Sequence, residues 1–100
     1  MQKKVKKFND KNNYPMQVYA RLLDIQSEMG ELSKEYLKNS MYGDKSFVLT
    51  EDFKMEYGDV LYSLLSMANE LNISAEECLN MAIEKYTKRL KSKKTMGSEE

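Results

Sequence analysis

The sequence predicts an all-α protein: an antiparallel helical bundle of three to four helices, with its core completed by oligomerisation. Three observations carry this. Apolar residues recur at 4-3-4-3-4 spacing in two long segments, which is the period of one helix face. Gly and Pro are scarce, four and one in 100 residues, which disfavours strand-and-turn architectures. A chain of 100 residues with 32% charged side chains is one small domain with a modest core, and small helical chains often finish that core against a second copy.

Residues 1–13 are polar, with Val5 and Phe8 as apolar anchors, and read as a basic arm or short helix. The main helical domain is expected over residues 14–90. Pro15 suits the first turn of its first long helix, where a missing N–H costs nothing. Val18, Leu22, Ile25, Met29, Leu32 and Tyr36 then form one apolar stripe. Met41-Tyr42-Gly43-Asp44 ends that helix, with Gly43 as the expected C-terminal cap.

Thr50 reads as the N-cap of the second long helix, with Glu51 and Asp52 favourable in its first turn. Phe53, Tyr57, Val60, Leu64, Met67 and Leu71 repeat the stripe. Leu61, Leu65 and Ala68 widen it, so this helix should be the most buried, and Asn72 closes it. Ser74-Ala75-Glu76-Glu77 is a capping box opening a further helix with Leu79, Ala82, Ile83, Tyr86 and Leu90 on its apolar side. Residues 91–100 lose periodicity and are expected to fray as a disordered tail.

The chemistry sits beside the stripes. Glu28-Met29-Gly30-Glu31 and Glu56-Tyr57-Gly58-Asp59 each place two carboxylates three residues apart, on one helix face. Asp24, Glu28, Glu31 and Glu35 each precede a stripe residue by one position, as do Asp52, Glu56 and Asp59 on the next helix. Both acid rows therefore flank the seam by about 100°. Four carboxylates brought together repel unless a cation lies between them. Gly30 and Gly58, in mid-helix next to pair members, suggest either close helix approach or room for a ligand. The competing reading is ordinary solvated helix surface, since Lys34, Lys38 and Lys54 are near. With oxygen donors and no histidine in the chain, Mg²⁺ or Mn²⁺ fits best. Carboxylate-held Mg²⁺ usually meets substrate phosphates, which points to phosphoryl or nucleotidyl chemistry.

These residues resemble the MazG-like family of all-α nucleoside triphosphate pyrophosphohydrolases, which carry ExxE, a spacer, then ExxD. The likeness rests on Ser27-Glu28-Met29-Gly30-Glu31-Leu32, on Glu56-Tyr57-Gly58-Asp59-Val60-Leu61-Tyr62, and on the stretch from Leu64 to Ile73. Glu84-Lys85-Tyr86-Thr87-Lys88-Arg89 is similar to the family's basic third segment. The resemblance implies conversion of a nucleoside triphosphate to the monophosphate and pyrophosphate with Mg²⁺, as in nucleotide-pool house-cleaning. It implies Glu28, Glu31, Glu56 and Asp59 as metal ligands, Lys85 and Arg89 as phosphate contacts, and a homodimer or homotetramer. Ser27 stands where many members carry another Glu, and Tyr86 near where some carry Asn. Glu31 and Glu35 are the candidates for activating the attacking water, Glu35 being equally readable as an extra ligand or a solvated residue. The base is expected to rest on an aromatic ring among Phe8, Tyr14 and Tyr19, with Tyr19 the chosen candidate.

Two other readings compete: a phosphoribosyl-ATP pyrophosphohydrolase, which shares the acidic pairs, and a non-enzymatic helical adaptor. Charge is unevenly spread, with about +4 on residues 1–11, about −8 on 12–84 and about +4 on 85–100. Such basic ends serve an adaptor that binds nucleic acid or a partner, but for the enzyme no nucleic acid is expected. Cys78 is the only cysteine, which rules out a disulfide framework, and it reads as a small buried residue. No apolar run follows the basic start and none is long enough to span a membrane, so the expectation is a cytoplasmic protein.

Overall fold

Four helices make up the chain in a computed structural model that describes residues 1–12 and 18–98: α1 (Gln2–Asn12), α2 (Val18–Asn39), α3 (Glu51–Glu70) and α4 (Ala75–Ser98). Pro15 and Tyr14 lie outside the described residues. The helix ends follow local chemistry. Thr50 is extended and its hydroxyl accepts the Phe53 N–H at 3.1 Å, as an N-cap should. Ser74 Oγ accepts the Glu77 N–H at 3.1 Å and opens α4. Asn72 closes α3 in the left-handed region at φ 57°, with the Ile73 N–H returning to the Ala68 carbonyl at 3.0 Å, a Schellman turn.

The end of α2 differs from expectation. Met41, not Gly43, takes the left-handed capping position, at φ 49°. The Met41 N–H reaches the Lys38 carbonyl and the Tyr42 N–H the Leu37 carbonyl, at 3.3 and 2.7 Å. Tyr42 and Gly43 follow at φ 58° and 91°, so three successive residues are left-handed and Gly43 serves the next turn instead.

α3 is the centre of the fold. Val60, Ser63, Leu65, Ser66 and Ala68 are all buried on it, and they include every buried apolar side chain among the described residues. α2 runs antiparallel to α3, as the pairing of Arg21 with Glu70, Asp24 with Ser63 and Asn39 with Thr50 shows. Phe47 in the connecting loop stacks on Tyr36 at 4.7 Å and meets Phe53 edge-on at 4.9 Å. α1 lies on α3, with Phe8 edge-on to Tyr62 at 6.1 Å and Asn9 Nδ2 donating to Ser66 Oγ at 3.0 Å.

The apolar stripes divide in an unexpected way. Ile25 and Leu32 turn towards α3, but Leu22, Met29 and Tyr36 are half-exposed on the other side of α2. On α3, Tyr57, Leu64 and Leu71 are likewise exposed, whereas Val60 and Met67 turn inward. One chain buries only one side of each stripe. α4 shows the same shortage of partners: Leu79, Ile83, Tyr86 and Leu90 are all more than half exposed. Cys78, expected to be buried, is exposed on α4, which packs little against the other described helices. The radius of gyration is 17.9 Å, against about 13 Å for a compact chain of this length. α4 also runs on to Ser98, past residue 90 where fraying was expected; its Lys-rich end holds no helix breaker before Gly97.

Candidate functional site

The α2–α3 interface is a polar ladder. At one end Arg21 Nε donates to both carboxylate oxygens of Glu70, at 3.1 and 3.3 Å, with the Arg21 guanidinium 5.5 Å from the Tyr62 ring centre. One turn on, Ser63 Oγ donates to Asp24 Oδ2 at 2.7 Å. At the other end Asn39 Nδ2 donates to Thr50 Oγ1 at 3.0 Å. Between them stand the carboxylates of the two acidic pairs.

Glu28, Glu56 and Asp59 come together there. Each offers an oxygen, and the three lie within 4.8 Å of one another. Glu28 and Glu56 are half-buried, and Asp59 is exposed. The i, i+3 spacing on α3 puts Glu56 and Asp59 on one side, and antiparallel packing brings Glu28 against them. Burial raises the Glu28 carboxyl above the ordinary carboxylate value, helped by Asp59, Asp24, Glu56 and Glu31. Glu56 is raised in the same way, first by loss of hydration and then by Asp59, Glu31, Glu35 and Asp52. Lost hydration first, and neighbouring like charges second, disfavour the ionised form of both groups. An all-oxygen donor set with no histidine suits a small hard divalent cation.

The other expected site residues are placed less centrally. Glu31 is exposed on α2 and outside the tight group, yet close enough to act electrostatically on both Glu28 and Glu56. Glu35 is half-buried and acts on Glu56. Tyr19 is 69% exposed at the start of α2, about 13 Å of helix rise before Glu28. Lys85 and Arg89 flank Tyr86 on α4, at 4.8 and 5.7 Å from its ring centre, and line a shallow depression with Met81, Glu84 and Lys88. The chain does not bring them to the carboxylate group. A Cβ added at Gly30 or Gly58 would meet nothing within 4 Å, so close helix approach does not explain these glycines; they border open space.

Arg21 and Glu70 carry no expectation from sequence. A signal was present: Arg21, Glu28 and Glu35 are one heptad row, and Glu56, Ser63 and Glu70 another.

Residues 19–93 match the sequence profile of the MazG nucleotide pyrophosphohydrolase domain. The chain is 40% identical over 88 residues to the uncharacterized protein YpjD of Bacillus subtilis strain 168, covering 85% of this chain and 75% of that protein. Its fold is similar to the crystal structure of the Bacillus-conserved MazG protein, a nucleotide pyrophosphohydrolase. That likeness has a TM-score of 0.72 and 31% identity, over 86% of this chain and 84% of the other. The crystal structure of YPJD from Bacillus subtilis is also similar, with a TM-score of 0.69 and 31% identity over 85% of this chain and 89% of that one. An all-α fold, three carboxylates of the two acidic pairs converging across α2 and α3, and a profile match over three-quarters of the sequence agree: the chain belongs to the MazG nucleotide pyrophosphohydrolase family, a family of hydrolases.

Proposed function

We propose that this protein is a Mg²⁺-dependent nucleoside triphosphate pyrophosphohydrolase that converts (d)NTP to (d)NMP and pyrophosphate. The observation that carries the reading is the convergence of Glu28, Glu56 and Asp59, three oxygen donors within 4.8 Å. These residues would hold the cation, with Glu31 joining from the exposed side of α2. Bound Mg²⁺ neutralises phosphate charge and acidifies water. Glu31 or Glu35 takes the proton of a water that attacks the α-phosphorus. The bond from that phosphorus to the bridging oxygen breaks, and the electron pair leaves with pyrophosphate. The raised carboxyls of Glu28 and Glu56 support this reading, because a site that strains its own carboxylates gains most from a cation. Mn²⁺ has the same donor preference and is the expected substitute.

Lys85 and Arg89 are the proposed phosphate contacts, and Tyr19 the proposed base contact. A homodimer or homotetramer is the proposed working form, supported by the exposed rows Leu22, Met29, Tyr36 and Tyr57, Leu64, Leu71. No helix among the described residues is long and apolar enough to cross a membrane. The test is pyrophosphate release from a panel of standard and modified nucleoside triphosphates with Mg²⁺, with Mn²⁺, and with chelator. Release with either metal and none with chelator is expected; silence across the panel with both metals sinks the reading.

A further inference from the structure

The family profile begins at residue 19, so α1 lies outside it. Yet α1 begins at a residue with three contacts around the α3–α4 junction, one to the end of α3, one to the turn and one to the start of α4. Gln2 Nε2 donates to the Ile73 carbonyl at 2.7 Å. Gln2 Oε1 accepts the Ala75 N–H at 2.8 Å. The Gln2 carbonyl accepts from Asn69 Nδ2 at 3.2 Å. The amide orientation is self-consistent, since a flip would set donor against donor and acceptor against acceptor.

The Ala75 N–H is one of the four donors that α4 cannot satisfy internally. Ser74 Oγ takes another of them, that of Glu77. α4 is therefore capped twice, once by its own neighbour and once by a side chain 73 positions away. The side-chain amide gives to Ile73 and takes from Ala75 together; an ionised Glu here could only accept and a Lys only donate. Further along, Asn9 pins α1 to α3 through Ser66 and Tyr62, so α1 is held independently of Gln2.

We propose that Gln2 is a positioning residue: from α1 it clamps the α3–α4 elbow and so fixes the direction of α4, the helix bearing Lys85 and Arg89. The link to catalysis rests on the proposed function, in which those two residues meet phosphates. The geometry gives the clamp leverage. Lys85 lies about 15 Å of helix rise beyond Ala75 and Arg89 about 21 Å. A swing of about 10° at the elbow moves them by roughly 2.6 and 3.7 Å, against the ~0.5 Å tolerance of a working site. α4 packs little on α1 to α3 beyond the elbow, so within the chain its direction is decided there.

The test compares Gln2→Ala, Gln2→Glu and Lys3→Ala, a change on the exposed side of α1, in the full chain. Residual dipolar couplings report the orientation of α4 against α3, and amide exchange reports the Ala75 N–H. Steady-state pyrophosphate release uses the standard nucleoside triphosphate turned over fastest. In Gln2→Ala, Ala75 exchange should rise at least about fivefold, the α4 couplings should shrink relative to those of α3, and KM should rise about tenfold with kcat within about twofold. Gln2→Glu keeps the acceptor, so Ala75 protection should return and KM fall part-way back; Lys3→Ala should match the parent throughout. Unchanged α4 couplings in Gln2→Ala overturn the proposal, as does a reoriented α4 with unchanged KM where Lys85→Ala raises KM. Silent Lys85→Ala and Arg89→Ala instead overturn the phosphate-contact reading, while the couplings still decide the clamp. Should Gln2→Ala fail to fold, Gln2→Glu decides through the couplings alone: it keeps the Ala75 bond, loses the one to Ile73 and sets a carboxylate oxygen against that carbonyl, so α4 couplings equal to the parent's overturn the proposal.

Discussion

Arg21 and Glu70 form a bidentate ion pair 49 residues apart, at 3.1 and 3.3 Å, with the Arg21 side chain 3% exposed and that of Glu70 15%. It ties the start of α2 to the end of α3, beside the Tyr62 ring. Removing one partner takes the bidentate contact away from a buried charge. Arg21→Ala and Glu70→Ala should each destabilise the protein by about 3–5 kcal/mol. The pair itself is less indispensable than either half. The double change Arg21→Met with Glu70→Leu should recover most of the loss, because a well-packed apolar replacement avoids desolvating two charges. Urea denaturation of the four proteins checks this, and a loss below about 1 kcal/mol in both single variants would refute it.

Glu56 is raised by loss of hydration and then by four other carboxylates, Asp59, Glu31, Glu35 and Asp52. Glu56→Gln keeps the shape and removes the charge. Pyrophosphate release should fall at least about 100-fold, the scale on which single electrostatic groups act in catalysis. Far-UV circular dichroism should be unchanged, since Gln is as good a helix former as Glu. An active Glu56→Gln protein would remove this residue from the proposed site.

The raised carboxyls of Glu28 and Glu56 also set a pH dependence of stability. A group with a higher pKa folded than unfolded holds its proton more tightly in the native state. Its stabilising contribution is complete below the unfolded value, near 4.5, and is lost as pH rises through the raised folded value. Without metal, then, Glu28→Gln and Glu56→Gln should melt above the parent at neutral pH. That advantage should shrink to nothing as pH falls below about 4.5, where both carboxyls are protonated in every state. Mg²⁺ should raise the parent's Tm at neutral pH and do so less in either variant. A difference in Tm that stays constant from neutral to acid pH would contradict the coupling.

Which of these features could be read in the chain depends on how far apart their parts lie. Thr50, Asn72 and Ser74 were legible as helix punctuation because a cap is satisfied within three or four residues. The acidic pairs were legible for the same reason, as i, i+3 spacing on a helix. What escaped is long-range. Helical periodicity marks Leu22, Met29 and Tyr36 as one row with Ile25 and Leu32, but not which half meets α3 and which faces outward. The Arg21–Glu70 pair and the contacts of Gln2 and Asn9 join segments 49 to 73 residues apart, where a heptad row marks a face of one helix but not its partner. Cys78 was misjudged because its helix was assumed to be packed.

Met41 shows a local rule yielding to its surroundings, and it gives the last prediction. Glycine two residues later was the natural cap, yet Met41 holds φ 49° and is 57% exposed. A left-handed conformation costs a residue with a Cβ about 1–2 kcal/mol. It is retained here because the Leu37 and Lys38 carbonyls need the N–H groups of Tyr42 and Met41, and because the Val48 N–H returns to Asn39 at 3.1 Å. Met41→Gly removes the strain and forfeits little packing, so it should stabilise the protein by up to about 1 kcal/mol, net of the greater freedom of glycine when unfolded. Met41→Val should destabilise by more than about 1 kcal/mol, since a β-branched side chain fits this region worst. Melting curves of both variants check the pair of signs; a Met41→Val protein as stable as the parent would mean that the turn relaxes to a right-handed conformation in solution.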